Sequence, residues 1–151
     1  LLARYPKGVP ARQTRDELVL NVDLAPTILE VAGLAPPDDF EGHSAMALAR
    51  GEEAPDWRQS FLYEYFTSGW GVPSLECVRT ADGWKYVRFA DWEQMYNLNA
   101  DPIEVNNLAQ ATDHAERKNE LMAELKQLGA GVRQLEGPSE YKRKTGQHQP
   151  H

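Results

Sequence analysis

The sequence predicts an α+β fold, with an antiparallel sheet of about four strands packed against a C-terminal helix and preceded by one strand-helix unit of α/β type. Three features point there. A nearly continuous apolar run, Leu18, Val19, Leu20 and Val22, precedes a helical pattern bounded by its own start and stop signals. Four short aromatic and β-branched segments lie between Phe61 and Leu98, and leucines recur at helical spacing from Leu121 onward.

Taken in order, Arg4 to Asp16 is rich in Pro, Gly and charge without periodicity and reads as a loop. The run Leu18 to Val22 lacks alternation, as expected of a strand covered on both faces in a parallel sheet. Asp23 is placed as N-cap of the next helix, Pro26 in its first turn and Gly33 just past its end, with Leu24, Ile28 and Val31 on one face. Residues 1–34 thus form one unit. Pro36, Pro37, Gly42, Gly51 and Pro55 make 35–59 a connector, with room for a short helix near Ser44 to Arg50.

Residues 60–136 form the sheet and helix unit. Its strands are predicted at Phe61 to Phe66, Cys77 to Thr80, Trp84 to Phe89 and Gln94 to Leu98. Asp82-Gly83 suits the two left-handed positions of a type I′ hairpin turn, which puts Trp84, Tyr86 and Arg88 on one face and Lys85, Val87 and Phe89 on the other. Asp101-Pro102 marks a turn, and Asp113 with Glu116 three residues on fits a capping box. The stripe Leu121, Leu125, Leu128, Val132 and Leu135 should cover one sheet face, with a break expected near Gly129 and Gly131. Residues 137–151 are expected to be a flexible tail.

Bulk properties exclude several function classes. A formal charge of -7 argues against a nucleic-acid partner, since binding phosphates requires a basic face, and Lys142, Arg143 and Lys144 read as a solvated terminus. No apolar run approaches the roughly 20 residues that span a bilayer, so no membrane partner is expected. With Cys77 as its one cysteine the chain has no internal disulfide and relies on its core. Leu1 stands where an initiator Met is usual, which suggests a piece of a longer protein.

Several segments carry a more specific signal. Leu20-Asn21-Val22-Asp23-Leu24-Ala25-Pro26-Thr27-Ile28-Leu29 is followed by Ala32-Gly33 and Gly42-His43-Ser44. Phe61-Leu62-Tyr63-Glu64-Tyr65, Val78-Arg79-Thr80 and Trp84-Lys85-Tyr86-Val87 come next, then Met95-Tyr96-Asn97-Leu98, Asp101-Pro102, Glu104 and Asn107-Leu108-Ala109. In this order and spacing they resemble the C-terminal portion of the sulfatase family, in the alkaline phosphatase superfamily, from about Arg4 to Leu128. Ala45 departs from the Leu usual in that family.

The resemblance implies that residues 1–34 end an α/β catalytic domain and that the parent hydrolyses sulfate esters, a sugar sulfate among them. It implies a formylglycine nucleophile, a divalent cation expected to be calcium, an N-terminal catalytic domain as partner, and an exported parent of periplasmic or lysosomal type. This chain is expected to supply no catalytic residue, no metal ligand and no cofactor of its own. Cys77 is followed by Val78, Arg79 and Thr80, so a C-x-P-x-R motif fails there, and it reads as a packed strand cysteine. Ser139 precedes Arg143 at the outer spacing of such a motif, but Tyr141 stands at the Pro position. Asp113-His114 imitates a metal-binding pair yet suits a helix start, and His43 and His114 lack partners at metal-ligand spacing.

The candidates for substrate contact are Trp70, flanked by Gly69 and Gly71 between the first two strands, together with Glu64 and Arg79. Trp70 equally suits packing over the sheet, and Glu64 and Arg79 equally suit a cross-strand charge pair. Two alternatives remain: a phosphonate monoesterase or related phosphohydrolase, and a non-catalytic interaction module.

Overall fold

The computed structural model describes residues 1–66, 74–89 and 91–129. The chain divides into two compact units, Leu1–Arg58 and Gln59–His151.

In the first unit, helix α1 spans Leu24–Val31 and helix α2 spans Met46–Arg50, the latter where the sequence left room for it. The strand expected at Leu18 to Val22 does not form. Leu20 is extended, but Asn21–Asp23 is a 3-10 turn leading into α1. The reason lies in where the backbone groups go. The Leu18 carbonyl accepts from Trp57 Nε1 at 3.0 Å and Arg58 Nη1 at 2.9 Å, and the Leu20 N–H donates to Asp23 Oδ2 at 2.7 Å. Side chains therefore take up hydrogen bonds that a ladder would have supplied.

The end of α1 follows its sequence signals. Gly33 has φ of +74°, its N–H donates to Glu30 O at 3.0 Å, and the Leu34 N–H donates to Leu29 O at 2.9 Å. These two bonds close a Schellman motif, which glycine adopts without a Cβ clash. The predicted core stripe of α1 is exposed in this chain, with Ile28 the most accessible member at 67%. Gly42 is fixed by close approach, because a Cβ there would lie 2.0 Å from the Val22 carbonyl oxygen.

The second unit is a meander. Strands β1 (Ser60–Tyr65), β2 (Leu75–Thr80), β3 (Trp84–Phe89) and β4 (Glu93–Asn97) pair antiparallel in the order β1-β2-β3-β4. Leu62, Val78, Tyr86 and Met95 align in one register row across all four strands. Helix α3 (Ala115–Leu128) lays Leu121 and Leu125 into the same buried cluster. Each such side chain removed from water contributes about 1.5 to 3 kcal/mol. Asn107 and Leu108 finish the outer edge of β4: the Met95 N–H donates to Asn107 Oδ1 at 3.0 Å, and the Leu108 N–H donates to Met95 O at 2.8 Å.

Two turn assignments are corrected. The β2-β3 connection is Ala81-Asp82-Gly83 rather than a two-residue type I′ turn. Gly83 is left-handed at φ +90°, whereas Asp82 is not. The Gly83 N–H donates to Thr80 O at 3.1 Å, so a tight turn precedes the left-handed residue, the common three-residue hairpin. At the other end of the unit, Asp113 does not cap α3. It lies inside a 3-10 turn, Thr112–His114, with its side chain exposed and no capping hydrogen bond. Backbone carbonyls do that work instead: the His114 N–H donates to Ala111 O at 3.2 Å and the Ala115 N–H to Thr112 O.

α3 stops at Leu128 as the glycines suggest, and the Gly129 N–H donates to Leu125 O at 2.9 Å. Gly131, Val132, Leu135, the basic cluster at 142–144 and the expected tail lie outside the described residues. Among those that are described, no helix is long and apolar enough to cross a membrane.

Candidate functional site

Two residues along each strand from the apolar row, the sheet carries a charged row on the same face. Glu64, Glu76, Arg88 and Glu93 stand opposite one another on β1, β2, β3 and β4. This is the end of the sheet from which the β1-β2 and β3-β4 connections leave.

Most of this row is internally matched. Arg88 Nε donates to Glu76 Oε2 at 2.9 Å, with an additional Nη2 contact to the same oxygen. Glu93 accepts from the Tyr86 hydroxyl at 2.7 Å, from Gln110 Nε2 at 3.1 Å and from the Lys118 ammonium, which also donates to Ala109 O at 2.9 Å. Burial opposes ionisation of Glu93, yet the bonds from Lys118 and Tyr86 outweigh it and hold the carboxyl below its ordinary range. The Tyr86 hydroxyl is displaced upward by burial and by its bond to Glu93.

Glu64 differs from the rest of the row. Its Oε1 is shielded from solvent and has no hydrogen-bond partner among the described residues. Burial, and then the neighbouring charge of Glu76, raise its pKa.

The cross-strand pair expected between Glu64 and Arg79 is not made. Glu64 faces Glu76 across β1-β2, whereas Arg79 faces Phe61 on that side and Lys85 on the other. Strand alternation puts Glu64 and Arg79 on opposite faces of the sheet. Among the described residues Arg79 has no ion-pair partner, while Lys85 is held by Glu104 at 2.7 Å. Trp70 lies outside the described residues.

A second polar centre, in the first unit, was not recognised as one from sequence. Asp23 is fully buried, and its carboxylate receives Arg58 Nη1 at 2.5 Å, Arg58 Nη2 at 2.6 Å, the Leu20 N–H at 2.7 Å and the His43 N–H at 2.9 Å. Burial pushes its pKa upward, but Arg58 and the two backbone donors more than reverse this and leave it lowered. Thr27 Oγ1 donates to the Asp23 carbonyl at 2.5 Å and accepts from the Ala45 N–H at 2.9 Å. Trp57 lies under the Arg58 guanidinium, 4.9 Å from ring centroid to Cζ. With every acceptor position served, this centre ties segments 18–27, 42–45 and 57–58 together. It is a structural knot.

Neither centre is suited to the nucleophile or cation that the sulfatase resemblance implies. Among the described residues no three His, Cys, Asp or Glu side chains converge on a point. Cys77 is buried in β2, and burial lifts its thiol to about 11, which leaves little thiolate near neutral pH.

Residues 1–131 match the family described as N-sulphoglucosamine sulphohydrolase, C-terminal. The chain belongs to that family. An N-acetylglucosamine-6-O-sulfatase of Bacteroides thetaiotaomicron is 35% identical over 130 residues, covering 81% of this chain and 23% of the relative. A solved structure in complex with its substrate D-glucosamine-2-N,6-O-disulfate superposes with a TM-score of 0.76 at 30% identity, over 94% of this chain and 28% of that one. The phosphonate monoester hydrolase of Agrobacterium radiobacter superposes at 0.59 with 25% identity, over 72% and 24% of the two chains. The chain therefore spans about a quarter of the length of these proteins. It has the α+β architecture of a sulfatase C-terminal portion, and this architecture is shared with a phosphonate hydrolase, so fold alone does not separate the two chemistries.

Proposed function

We propose that this chain is the C-terminal part of a sugar sulfatase that removes a sulfate ester from a glucosamine-type residue, and that its sheet borders the substrate pocket. The observation that carries the reading is the 35% identity to an N-acetylglucosamine-6-O-sulfatase over 81% of the chain. In this reading the formylglycine nucleophile and the divalent cation come from an N-terminal catalytic domain. The cation offsets charge on the sulfate, and the nucleophile is an activated group that an ordinary hydroxyl does not provide.

The role left to this chain is to complete the fold and to shape the part of the pocket remote from the reacting sulfur. Glu64 is proposed to act there from β1, and Trp70 is proposed with it because it falls between β1 and β2 in the sequence. Arg79, on the other sheet face, is proposed to contact a separate part of the substrate or an anionic group of the catalytic domain. The phosphonate reading is kept as second because of the 0.59 superposition. Expression of the full-length gene and measurement of product release from D-glucosamine-6-sulfate, 4-nitrophenyl sulfate and a phosphonate monoester decides between them. Sulfate release from the sugar at the highest kcat/KM is expected; preference for the phosphonate overturns the sulfatase reading.

A further inference from the structure

Among the described residues, one shielded acceptor in the charged row of the sheet has no donor to match it. Glu76 has Arg88, and Glu93 has Lys118, Tyr86 and Gln110. Glu64 Oε1 is withdrawn from solvent with no partner among the described residues. Its neighbour across the strand pair is another carboxylate, Glu76, which supplies no donor when ionised. A shielded carboxylate oxygen without a donor is costly to keep, and such a site gains most when a donor arrives.

We propose that Glu64 is a specificity-determining acceptor that takes an N–H or O–H donor from the sugar ring of the substrate. The inference rests on the sugar-sulfatase reading above and adds to it a residue, an atom and a ligand chemistry. The partner is a donor rather than an anion, because the unmatched atom is itself an acceptor, and Arg88, the cation of this row, is already engaged by Glu76. The row also contains its own control. Glu93 is of the same residue type on the same face, but its acceptor positions are occupied from within the fold, so it offers a ligand much less.

The test uses the full-length protein with Glu64→Ala and Glu64→Gln, and reads kcat/KM on three substrates. D-Glucosamine-6-sulfate carries an ammonium at C2, D-glucose-6-sulfate carries a hydroxyl there, and 4-nitrophenyl sulfate offers no ring donor. The ratio of kcat/KM for the sugar sulfates to that for the aryl sulfate is expected to fall at least tenfold in Glu64→Ala. Glu64→Gln, which keeps a carbonyl acceptor, should recover part of that fall. A loss confined to the glucosamine ester identifies the C2 nitrogen as donor, and an equal loss on both sugars identifies a ring hydroxyl. An unchanged ratio, including a uniform loss on all three substrates with a lowered melting temperature, overturns the proposal and returns Glu64 to a packing role. Absence of sulfate release by the wild-type protein is a different failure, seen before any variant is made, and it overturns the sulfatase reading and this inference with it.

Discussion

Asp23 and Glu64 are both carboxylates with oxygen atoms withdrawn from water, and the two units treat them in opposite ways. In the first unit four donor contacts converge on Asp23, and its pKa is lowered. In the second unit Glu64 faces another carboxylate, one oxygen stays unpaired among the described residues, and its pKa is raised. Burial acts in the same direction on both. The supply of donors decides the sign, and with it the kind of work each group can do. A saturated carboxylate locks a fold. An unsaturated one keeps an acceptor position open.

The largest expected effect comes from breaking the saturated site. Arg58→Ala leaves the Asp23 charge buried without its bidentate partner, and removing one member of such a pair costs about 3 to 5 kcal/mol. Denaturant unfolding of the purified chain should show this as a loss of stability in the first unit, while amide protection in the sheet of the second persists. A cost under about 1 kcal/mol, the range of an exposed salt bridge, would mean that Asp23 is not sealed from water.

That site also shows where sequence reasoning stopped. The four strands were legible because each residue pattern depends on local alternation and on turn residues beside it. Asn107-Leu108-Ala109 stood out as a motif, although only the structure shows Asn107 finishing an edge strand. Leu18 to Val22 was misread because an apolar run looks the same whether a ladder or a set of side chains takes up its backbone groups. Asp23 was given a cap role since a carboxylate before a helix usually has one. The signal that could have exposed the error was Trp57-Arg58, two long donors some thirty-five residues away in a connector, and nothing local links them to Asp23. The Asp82-Gly83 turn was misassigned by one residue for a similar reason. Asp-Gly fits two hairpin geometries, and the register of the flanking strands chooses between them.

Acid titration separates the two carboxylates further. The Asp23 pKa is lowered on folding, so its contribution is fully present above its ordinary value near 3.8 and is lost as the pH falls through the lower folded value. Wild-type stability should therefore drop at the acid end, and Arg58→Ala should flatten that drop. Equal acid slopes in the two proteins, measured by urea unfolding between pH 2 and 5, would show that the Asp23-Arg58 pair does not control it.

A third expectation concerns substrate contact beyond Glu64. Trp70→Ala in the full-length protein is expected to cost about 1 to 3 kcal/mol in transition-state binding, a fall of roughly tenfold to a hundredfold in kcat/KM, on a sugar sulfate. The loss on 4-nitrophenyl sulfate should be smaller. Equal losses on both substrates, or a melting temperature that falls enough to explain them, would place Trp70 in packing.

The smallest effect has the most informative sign. Because the Glu64 pKa is raised on folding, its ionised form is disfavoured in the native state, and the cost sets in as the pH rises above its ordinary value near 4.5. Glu64→Gln removes the charge and its repulsion with Glu76 while keeping the shape and one acceptor. At pH 7 the variant should be slightly more stable than wild type; below pH 4, where the wild-type carboxyl is protonated, the two should converge. Greater stability joined to a poorer preference for sugar over aryl sulfate is the pattern expected of a group kept for binding at some expense to the fold. A variant less stable than wild type at pH 7 would show that the Glu64 charge has a donor within the chain, and the contrast with Asp23 would then be one of degree.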